Sequence, residues 1–367
     1  MDTLFGGIFK HKTVLVTGHT GFKGSWLVYW LKQLGANVVG YSSGTPTSPS
    51  HIDLLDSDFI SVIGDIRDFE KLSVTIETYK PDIVFHLAAQ SLVHFSYHNP
   101  IETYETNVMG TLKVFEACRK HNVKAIVNVT SDKAYENKEW LWGYRENDSI
   151  GGYDPYSSSK GCSELLTSSY RSSYFNEKEY KSTHNTLLAS CRAGNVIGGG
   201  DWASDRLITD IMLSVSKGEK VAIRNPNATR PWQHVLEPLS GYLCVGQRLL
   251  EENLLFAGAW NFGPSHEGSI TVEEVVRSVK KHWNKIDYEI MKHSKQFHEA
   301  NVLKLDCSKA YTLLHWKGVW DSDTAFEKTV KWYKAYYEQN ASISTAEDFS
   351  SYISDAKLME MAWAHSG

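Results

Sequence analysis

At 367 residues, 42% of them hydrophobic, the chain is long enough for a large α/β domain carrying a second, smaller one. Its formal net charge of −5 comes without a basic tract, which leaves no electrostatic footprint for nucleic acid. The opening MDTLFGGIFKHK lacks a basic start followed by an apolar run, and no stretch approaches the roughly 18 apolar residues of a membrane span, so neither a secretory signal nor a membrane anchor is expected.

Thr13–Thr17 (TVLVT) reads as a buried strand. Directly after it, Thr17-Gly18-His19-Thr20-Gly21-Phe22-Lys23-Gly24 spaces its glycines by three and three where the helical pattern Phe22–Leu34 begins. That spacing lets the backbone turn tightly and approach a pyrophosphate at the helix N-terminus. A second strand, Asn37–Tyr41, ends in Ser42-Ser43, where NAD enzymes usually carry an acid and NADP enzymes a base. Ser42 is placed to bond a ribose hydroxyl, and no Arg or Lys stands there to balance a 2′-phosphate, which favours NAD. The strand Phe59–Ile63 leads to Gly64-Asp65-Ile66 and the helix Phe69–Tyr79. The strand Ile83–Leu87 leads to His86-Leu87-Ala88-Ala89-Gln90, so the dinucleotide is expected to run past these two turns.

The helical stretch Asn99–Lys120, the strand Ala125–Thr130, the helix Pro155–Phe175 and the strand Thr186–Ser190 continue the alternation, which implies a doubly wound parallel sheet of Rossmann type. After Gly194 the rhythm breaks. A loop, Gly198-Gly199-Gly200-Asp201, precedes helical stretches at Thr271–Trp283, Asp323–Glu338 and Thr345–Met361. The expected division is a dinucleotide-binding domain over 1–194 with later returns to its sheet, a smaller interleaved substrate lobe over 195–340, and a helical tail over 341–367. Five cysteines (Cys118, Cys162, Cys191, Cys244, Cys307) lie far apart, which points to reduced thiols in a cytoplasmic protein. Twelve Trp and nineteen Tyr suit a large core and a subunit interface.

Thr130-Ser131-Asp132-Lys133 closes the fifth strand with a hydroxyl, a carboxylate and an amine in sequence, more acid–base equipment than hydride transfer alone requires. Tyr-x-x-x-Lys occurs three times, at Tyr156/Lys160, Tyr174/Lys178 and Tyr288/Lys292. The i, i+4 spacing on a helix brings an ammonium near a phenol and is expected to lower its pKa. Only Tyr156/Lys160 follows the fifth strand closely enough to face a nicotinamide. His298-Glu299 lacks the second histidine of a zinc-protease motif, and no metal is expected; His234 reads as structural.

The segments TGHTGFKG, HLAAQ, TNVMGT, TSDKAY, YSSSK, RAGNVIGGGD, RPWQHVLEPLSGYL and WNFGP span essentially the whole chain. They resemble the extended short-chain dehydrogenase/reductase family and, within it, the nucleotide-sugar 4,6-dehydratases. Lys133 is the pattern of the CDP-glucose branch; the dTDP-glucose branch has Thr-Asp-Glu across these three positions. The resemblance implies tightly bound NAD, contacted also by Asn107, Thr130, Tyr156 and Lys160, and a CDP-glucose substrate whose diphosphate meets Asn195, Arg206, Arg230 and Asn261. It implies that Tyr156 takes the proton of the sugar 4-hydroxyl while Ser131 bonds the same oxygen. Lys133, deprotonated through burial or the nearby charge of Lys160, then removes the C5 proton, and protonated Asp132 donates to the departing 6-hydroxyl. A homodimer or homotetramer is implied, with a four-helix interface from Asn99–Lys120 and Pro155–Phe175 and a further contact from the aromatic tail. Two positions depart from the family pattern: Ala134 replaces a common Cys, and His94 a common Arg. A 4-epimerase would need the tyrosine and hydroxyl but not Asp132-Lys133. A GDP-mannose enzyme would be expected to use NADP and carry Glu at position 133, and a dinucleotide sensor without turnover would lack Tyr156 or Lys160.

Overall fold

The computed structural model describes all residues except Asp2, Ser57, 224–225, 265–268, 292–301 and 366–367. Lys292 of the third Tyr-x-x-x-Lys copy and the His298-Glu299 pair lie outside the described residues, as does the side chain of Arg230.

Seven parallel strands form the main sheet: β1 (Thr13–Thr17), β2 (Asn37–Ser42), β3 (Ile60–Ile63), β4 (Ile83–His86), β5 (Ala125–Val129), β6 (Leu187–Ala193) and, much later, β10 (Ala259–Phe262). Their order is β3-β2-β1-β4-β5-β6-β10, so the sheet reverses direction between β1 and β4 and opens a crevice above their C-terminal ends. β1, β4, β5 and β6 are buried almost throughout, which is why they read as continuous apolar runs rather than alternating ones. The short strands β7 (Asn195–Ile197), β9 (Thr229–His234) and β11 (Ser269–Thr271) make a second sheet, and β8 (Val221–Ile223) pairs with β12 (Tyr288–Ile290). β10 therefore lies within the predicted lobe in sequence but completes the main sheet beside β6.

The helices, in chain order, begin with α1 (Phe22–Gln33), α2 (His51–Leu54), α3 (Phe69–Tyr79), α4 (Val93–His98) and α5 (Pro100–Tyr104). They continue with α6 (Thr111–Lys120), α7 (Pro155–Ser173), α8 (Leu207–Ser216), α9 (Leu236–Leu250) and α10 (Val272–His282). The last are α11 (Ser308–Leu314), α12 (Ser322–Glu338) and α13 (Thr345–Leu358). Local chemistry sets several starts. Asp68 caps α3 by accepting from Lys71 N, Pro155 occupies the first turn of α7 beneath the Asp154 cap, and Thr271 with Glu274 forms a reciprocal cap on α10.

Asn99–Lys120, expected as one helix, is broken: a π-turn over Glu105–Gly110 separates α5 from α6. The inserted turn rotates Asn107 inward, where it is buried. The Tyr174/Lys178 pair does not share a helical face, because α7 ends at Ser173. Tyr174 stacks under Arg119 instead, 4.9 Å from its guanidinium carbon. α8 and α9, not anticipated as helices, fill the second half, and α9 packs on β5 and β6.

One core lies between the sheet and α3, α6 and α7, around Leu15, Ile76, Phe115 and Leu188. The larger core on the opposite face holds Trp26, Trp30, Trp260, Trp316 and Trp332, all fully buried. Truncating one of these to Ala costs about 3–5 kcal/mol. The tail, expected to touch another subunit, uses its aromatic groups internally: Phe349, Tyr352 and Trp363 ring Trp30, and Trp363 stacks on Phe5 at 5.2 Å. The Gly198–Gly200 run is a close approach as well as a loop, since a Cβ on Gly199 would lie 2.0 Å from the Trp332 ring.

Candidate active site

A cleft of about 850 Å³ runs along the C-terminal ends of the strands and into the second lobe. At its base the turn after β1 places Gly18 at φ +74, and a Cβ there would meet Ala88 N at 2.7 Å. A Cβ on Gly24 would meet Gly18 O at 2.1 Å. The glycines thus let the turn, the first turn of α1 and the Leu87-Ala88 backbone close together. Gly21 is the N-cap of α1 and supplies no capping side chain, so the first N–H groups of this helix keep their capacity for an anion. Gly18, Thr20, Gly21, Phe22, Lys23 and Gly24 all line the cleft, as do Ser42, Asp65, Ile66 and Leu87 to Gln90. A dinucleotide pyrophosphate fits this cradle by shape and by donor chemistry.

Several of these groups have additional partners. Ser42 Oγ lies 2.9 Å from His19 Nδ1, and His19 Nε2 lies 2.8 Å from Ser61 Oγ. The His19 ring crosses Gly40, where a Cβ would approach it within 2.3 Å, and burial lowers its pKa to about 4. Asp65 receives Arg67 through Nε at 3.1 Å and Nη2 at 2.6 Å, and these bonds hold its carboxyl below its usual range. Arg67, unforeseen in the sequence, therefore puts a guanidinium on the same cleft wall as Ser42, with its charge committed to Asp65. Asn107 does not line the cleft. It receives Gln90 N at 2.8 Å and donates to Gln90 O at 2.9 Å and to Ser159 Oγ at 2.8 Å, holding the turn after β4 from behind.

At the other end Thr130, Ser131, Asp132, Lys133, Tyr156 and Lys160 meet on one wall. Ser131 caps the short turn Asp132–Ala134: its Oγ accepts from Lys133 N at 3.2 Å and donates to Asp132 Oδ1 at 3.0 Å. Burial raises the Asp132 carboxyl above its usual range, against Lys133, Ser131 and Lys23, which lower it. Such a shift favours the protonated acid. Tyr156 departs from the sequence expectation. Burial pushes its phenol up to about 12, partly offset by a hydrogen bond with Ser131. Burial lowers Lys160 to about 8, and its Nζ donates to Val129 O at 3.3 Å, so desolvation outweighs the stabilising ammonium that the i, i+4 spacing suggested. Lys23 is lowered to about 8 by burial, then by the charges of Arg206 and Lys160. Together these three cations make this part of the cleft attractive to an anionic ligand.

Asn195 and Arg206 line the cleft on the lobe side. Arg206 donates to Asp201 Oδ2 at 2.6 Å and to Ser91 Oγ at 3.2 Å, so it reaches from the lobe to the turn after β4. His94 Nδ1 lies 3.4 Å from Asp205 Oδ1 across the same mouth. Asn261 is not brought to the cleft. It is buried on β10, and its side chain is engaged by Tyr135 OH (2.8 Å), Tyr144 O (2.8 Å) and Asp306 O (3.1 Å). His234 packs between Trp26 and Trp320, and burial lowers its pKa to about 3. Sequence reasoning missed Glu164 and Arg192, a buried pair at 2.8 Å beneath the Thr130–Lys133 turn. The available signal was a charge, Arg192, embedded in the otherwise uncharged buried strand β6.

Residues 15–331 match the family model described as GDP-mannose 4,6 dehydratase. The chain is 52% identical over 350 residues to the CDP-glucose 4,6-dehydratase of Salmonella typhimurium strain LT2, covering 94% of this chain and 97% of that one. It is 28% identical over 337 residues to the UDP-glucose 4-epimerase of Halalkalibacterium halodurans, covering 88% and 96%. Among solved structures, an epimerase from Methanothermobacter thermautotrophicus matches with a TM-score of 0.80 at 25% identity, over 92% of this chain and 96% of that one. The dTDP-glucose 4,6-dehydratase of Bacillus anthracis, solved in complex with NAD, matches with a TM-score of 0.71 at 21% identity, over 89% and 98%.

Proposed function

The chain belongs to the GDP-mannose 4,6 dehydratase family, and from that premise we propose that it converts CDP-glucose to CDP-4-keto-6-deoxyglucose with NAD as a resident cofactor. The observation that carries this reading is the grouping of Ser131, Asp132, Lys133 and Tyr156 on one cleft wall, with Asp132 biased toward its protonated form. An epimerase has no use for the Asp132-Lys133 pair. The relative that shares half of all positions is a CDP-glucose enzyme.

Gly18 to Gly24, Ser42, Asp65, Ile66 and the turn Leu87–Gln90 would hold NAD, which supplies a hydride acceptor at the sugar C4 and a donor back at C6. Tyr156 takes the 4-hydroxyl proton only as the phenolate, so its own proton must first leave against the upward push of burial; Ser131 is bonded to it, and Lys160 lies one turn further along the same helix. The 4-ketone so formed acidifies the C5 hydrogen, which Lys133 is placed to remove. Asp132 gives its proton to the 6-hydroxyl, which leaves as water. Asn195 and Arg206 are placed for the diphosphate, while Asn261 acts behind the site. Arg230 is retained from its sequence motif alone.

The protein is proposed to act in the cytoplasm as a homodimer or homotetramer. Supporting this, all five cysteines are free, and no helix of the described residues is long and apolar enough to cross a membrane. Ile101, Tyr104, Met109 and Leu165 stand exposed on the α5–α6 and α7 segments, the two proposed for a four-helix interface.

The protein should be incubated with NAD and, separately, CDP-glucose, dTDP-glucose and GDP-mannose, with loss of water read by mass spectrometry. Failure with all three would end the dehydratase reading, and activity on dTDP-glucose alone would end the nucleotide assignment. In Lys133→Ala, NADH absorbance should still rise on adding substrate, while water loss slows by about 10²–10⁴-fold. Undiminished water loss would remove Lys133 from the role of base.

A further inference from the structure

The hexapeptide Thr130–Tyr135 carries the acid and base, yet its two ends are tied to one buried ion pair. On one side Thr130 Oγ1 donates to Glu164 Oε1. On the other, Arg192 Nη1 donates to Tyr135 OH at 2.6 Å, with its guanidinium carbon 4.7 Å from the centre of the Tyr135 ring. Glu164 and Arg192 close the circuit at 2.8 Å, each almost fully buried, and Ser190 Oγ adds a donor to Glu164 at 2.8 Å. Arg192 also donates to Glu146 O at 3.1 Å, and Tyr135 OH donates to Asn261 Oδ1 at 2.8 Å. The network thus extends from α7 through β6 to β10. Burial alone would raise the Glu164 carboxyl, but Arg192 and the three hydrogen bonds hold it below its usual range, so the pair stays charged.

Resting on the dehydratase reading above, we infer that the Glu164–Arg192 pair is a positioning device for the elimination step. It fixes both ends of the Thr130–Tyr135 turn so that Asp132 and Lys133 address adjacent carbons of the oxidised sugar. Neither Glu164, Arg192 nor Tyr135 lines the cleft, so none touches substrate. The ion pair is an expensive way to hold a loop, since two buried charges could be replaced by apolar packing with little loss of stability. What apolar packing does not supply is direction: a planar guanidinium and a carboxylate fix the two ends of the turn in angle as well as distance. Tyr156 and Lys160 lie on α7 itself, where helix geometry holds them without the clamp. Loosening the clamp should therefore harm elimination more than C4 oxidation.

Removing either charge leaves the other buried and alone, so the informative variant is Tyr135→Phe, at a residue that does not line the cleft. It cuts one tie and keeps the ion pair. Thermal unfolding and NAD titration first establish that the variant folds and binds cofactor. In single turnovers with CDP-glucose, bound NADH should appear at close to the unmodified rate. Its decay and the release of water should slow by roughly tenfold to a hundredfold, the range expected for a sub-ångström to ångström misplacement of the reacting groups. A folded variant in which appearance and decay slow by one common factor, or in which neither slows while the melting temperature falls, overturns the inference and leaves the pair a structural one. An unmodified protein that removes water from no nucleotide sugar instead sinks the underlying reading, and this inference with it. Arg192→Lys keeps the charge but loses the fork, and should show the same split between oxidation and elimination.

Discussion

At its cofactor end the cleft is shaped by backbone. Gly18 and Gly24 let main-chain atoms approach within distances that no Cβ would permit, and the free N–H groups of α1 provide the donors. At its reaction end the cleft wall is backed by side chains drawn from α7, β6, β10 and the segment following β5: Glu164, Arg192, Asn261 and Tyr135. The backbone-built end depends on two short turns, Gly18–Gly24 and Leu87-Ala88. The side-chain-built end depends on residues more than a hundred positions apart. A backbone cradle tolerates changes in the polar groups around it and fails abruptly when a glycine is filled, whereas a side-chain frame should fail by degrees.

The comparison breaks hardest at the reacting atoms themselves. Tyr156→Phe should reduce turnover by about 10³-fold while NAD affinity, measured by fluorescence titration, stays near that of the unmodified protein. A large loss of NAD affinity would show that the two ends are not separable. Gly24→Ala tests the opposite end. With its new Cβ 2.1 Å from Gly18 O, the turn must open, and NAD affinity should fall by about 5- to 150-fold, equivalent to roughly 1–3 kcal/mol of backbone strain. Affinity within twofold of the unmodified protein would mean that the cradle yields more easily than its geometry says.

A third test concerns six buried titratable groups. His19, His51, His86 and His234 are lowered to about 4, 3, 3 and 3 by burial, while burial raises Glu237 and Asp348 to about 7. The histidines have folded pKa values below their unfolded ones, so their contribution is present above pH 6.5 and is lost as pH falls. The two carboxyls have folded values above their unfolded ones, so theirs is present in acid and is lost as pH rises toward 7. Between about pH 5 and 6 the unfolded chain binds four of these protons and the folded chain two. Stability should therefore rise with pH by at most about 2.7 kcal/mol per unit, measured by urea titration across that range. A flat or falling profile would mean that water reaches these histidines. The smallest effect is expected from Ser42→Ala. Loss of one hydroxyl contact should weaken NAD binding by about 2- to 12-fold by titration, and no change would assign Ser42 to holding His19 alone.

The same contrast explains what could be read in the sequence. The six-strand rhythm up to Ala193, the glycine turn and Tyr156/Lys160 were legible because each is a local pattern whose period or spacing is its own cause. The π-turn at Glu105–Gly110 was not, because the surrounding residues have ordinary helical character and only the need to seat Asn107 behind Gln90 distinguishes it. Asn261 was assigned to substrate from its motif, yet three partners from distant segments occupy its side chain. The direction of the Tyr156 shift was missed for a related reason: spacing reports a neighbouring charge but not how deeply both groups are buried. Glu164 and Arg192 gain meaning only when β5, β6 and α7 are assembled.

The late strand β10 has a consequence for how the chain acquires its shape. Its partner β6 ends at Ala193, and the intervening residues include β7, β8, β9 and two helices, so a growing chain must emit all of these before the main sheet can be completed. A fragment ending at Gly194 would expose the edge of β6, a fully buried seven-residue strand, as an open template for pairing with other chains. The segments before and after Gly194 are accordingly expected to fold as a single cooperative unit, completed when β10 pairs with β6.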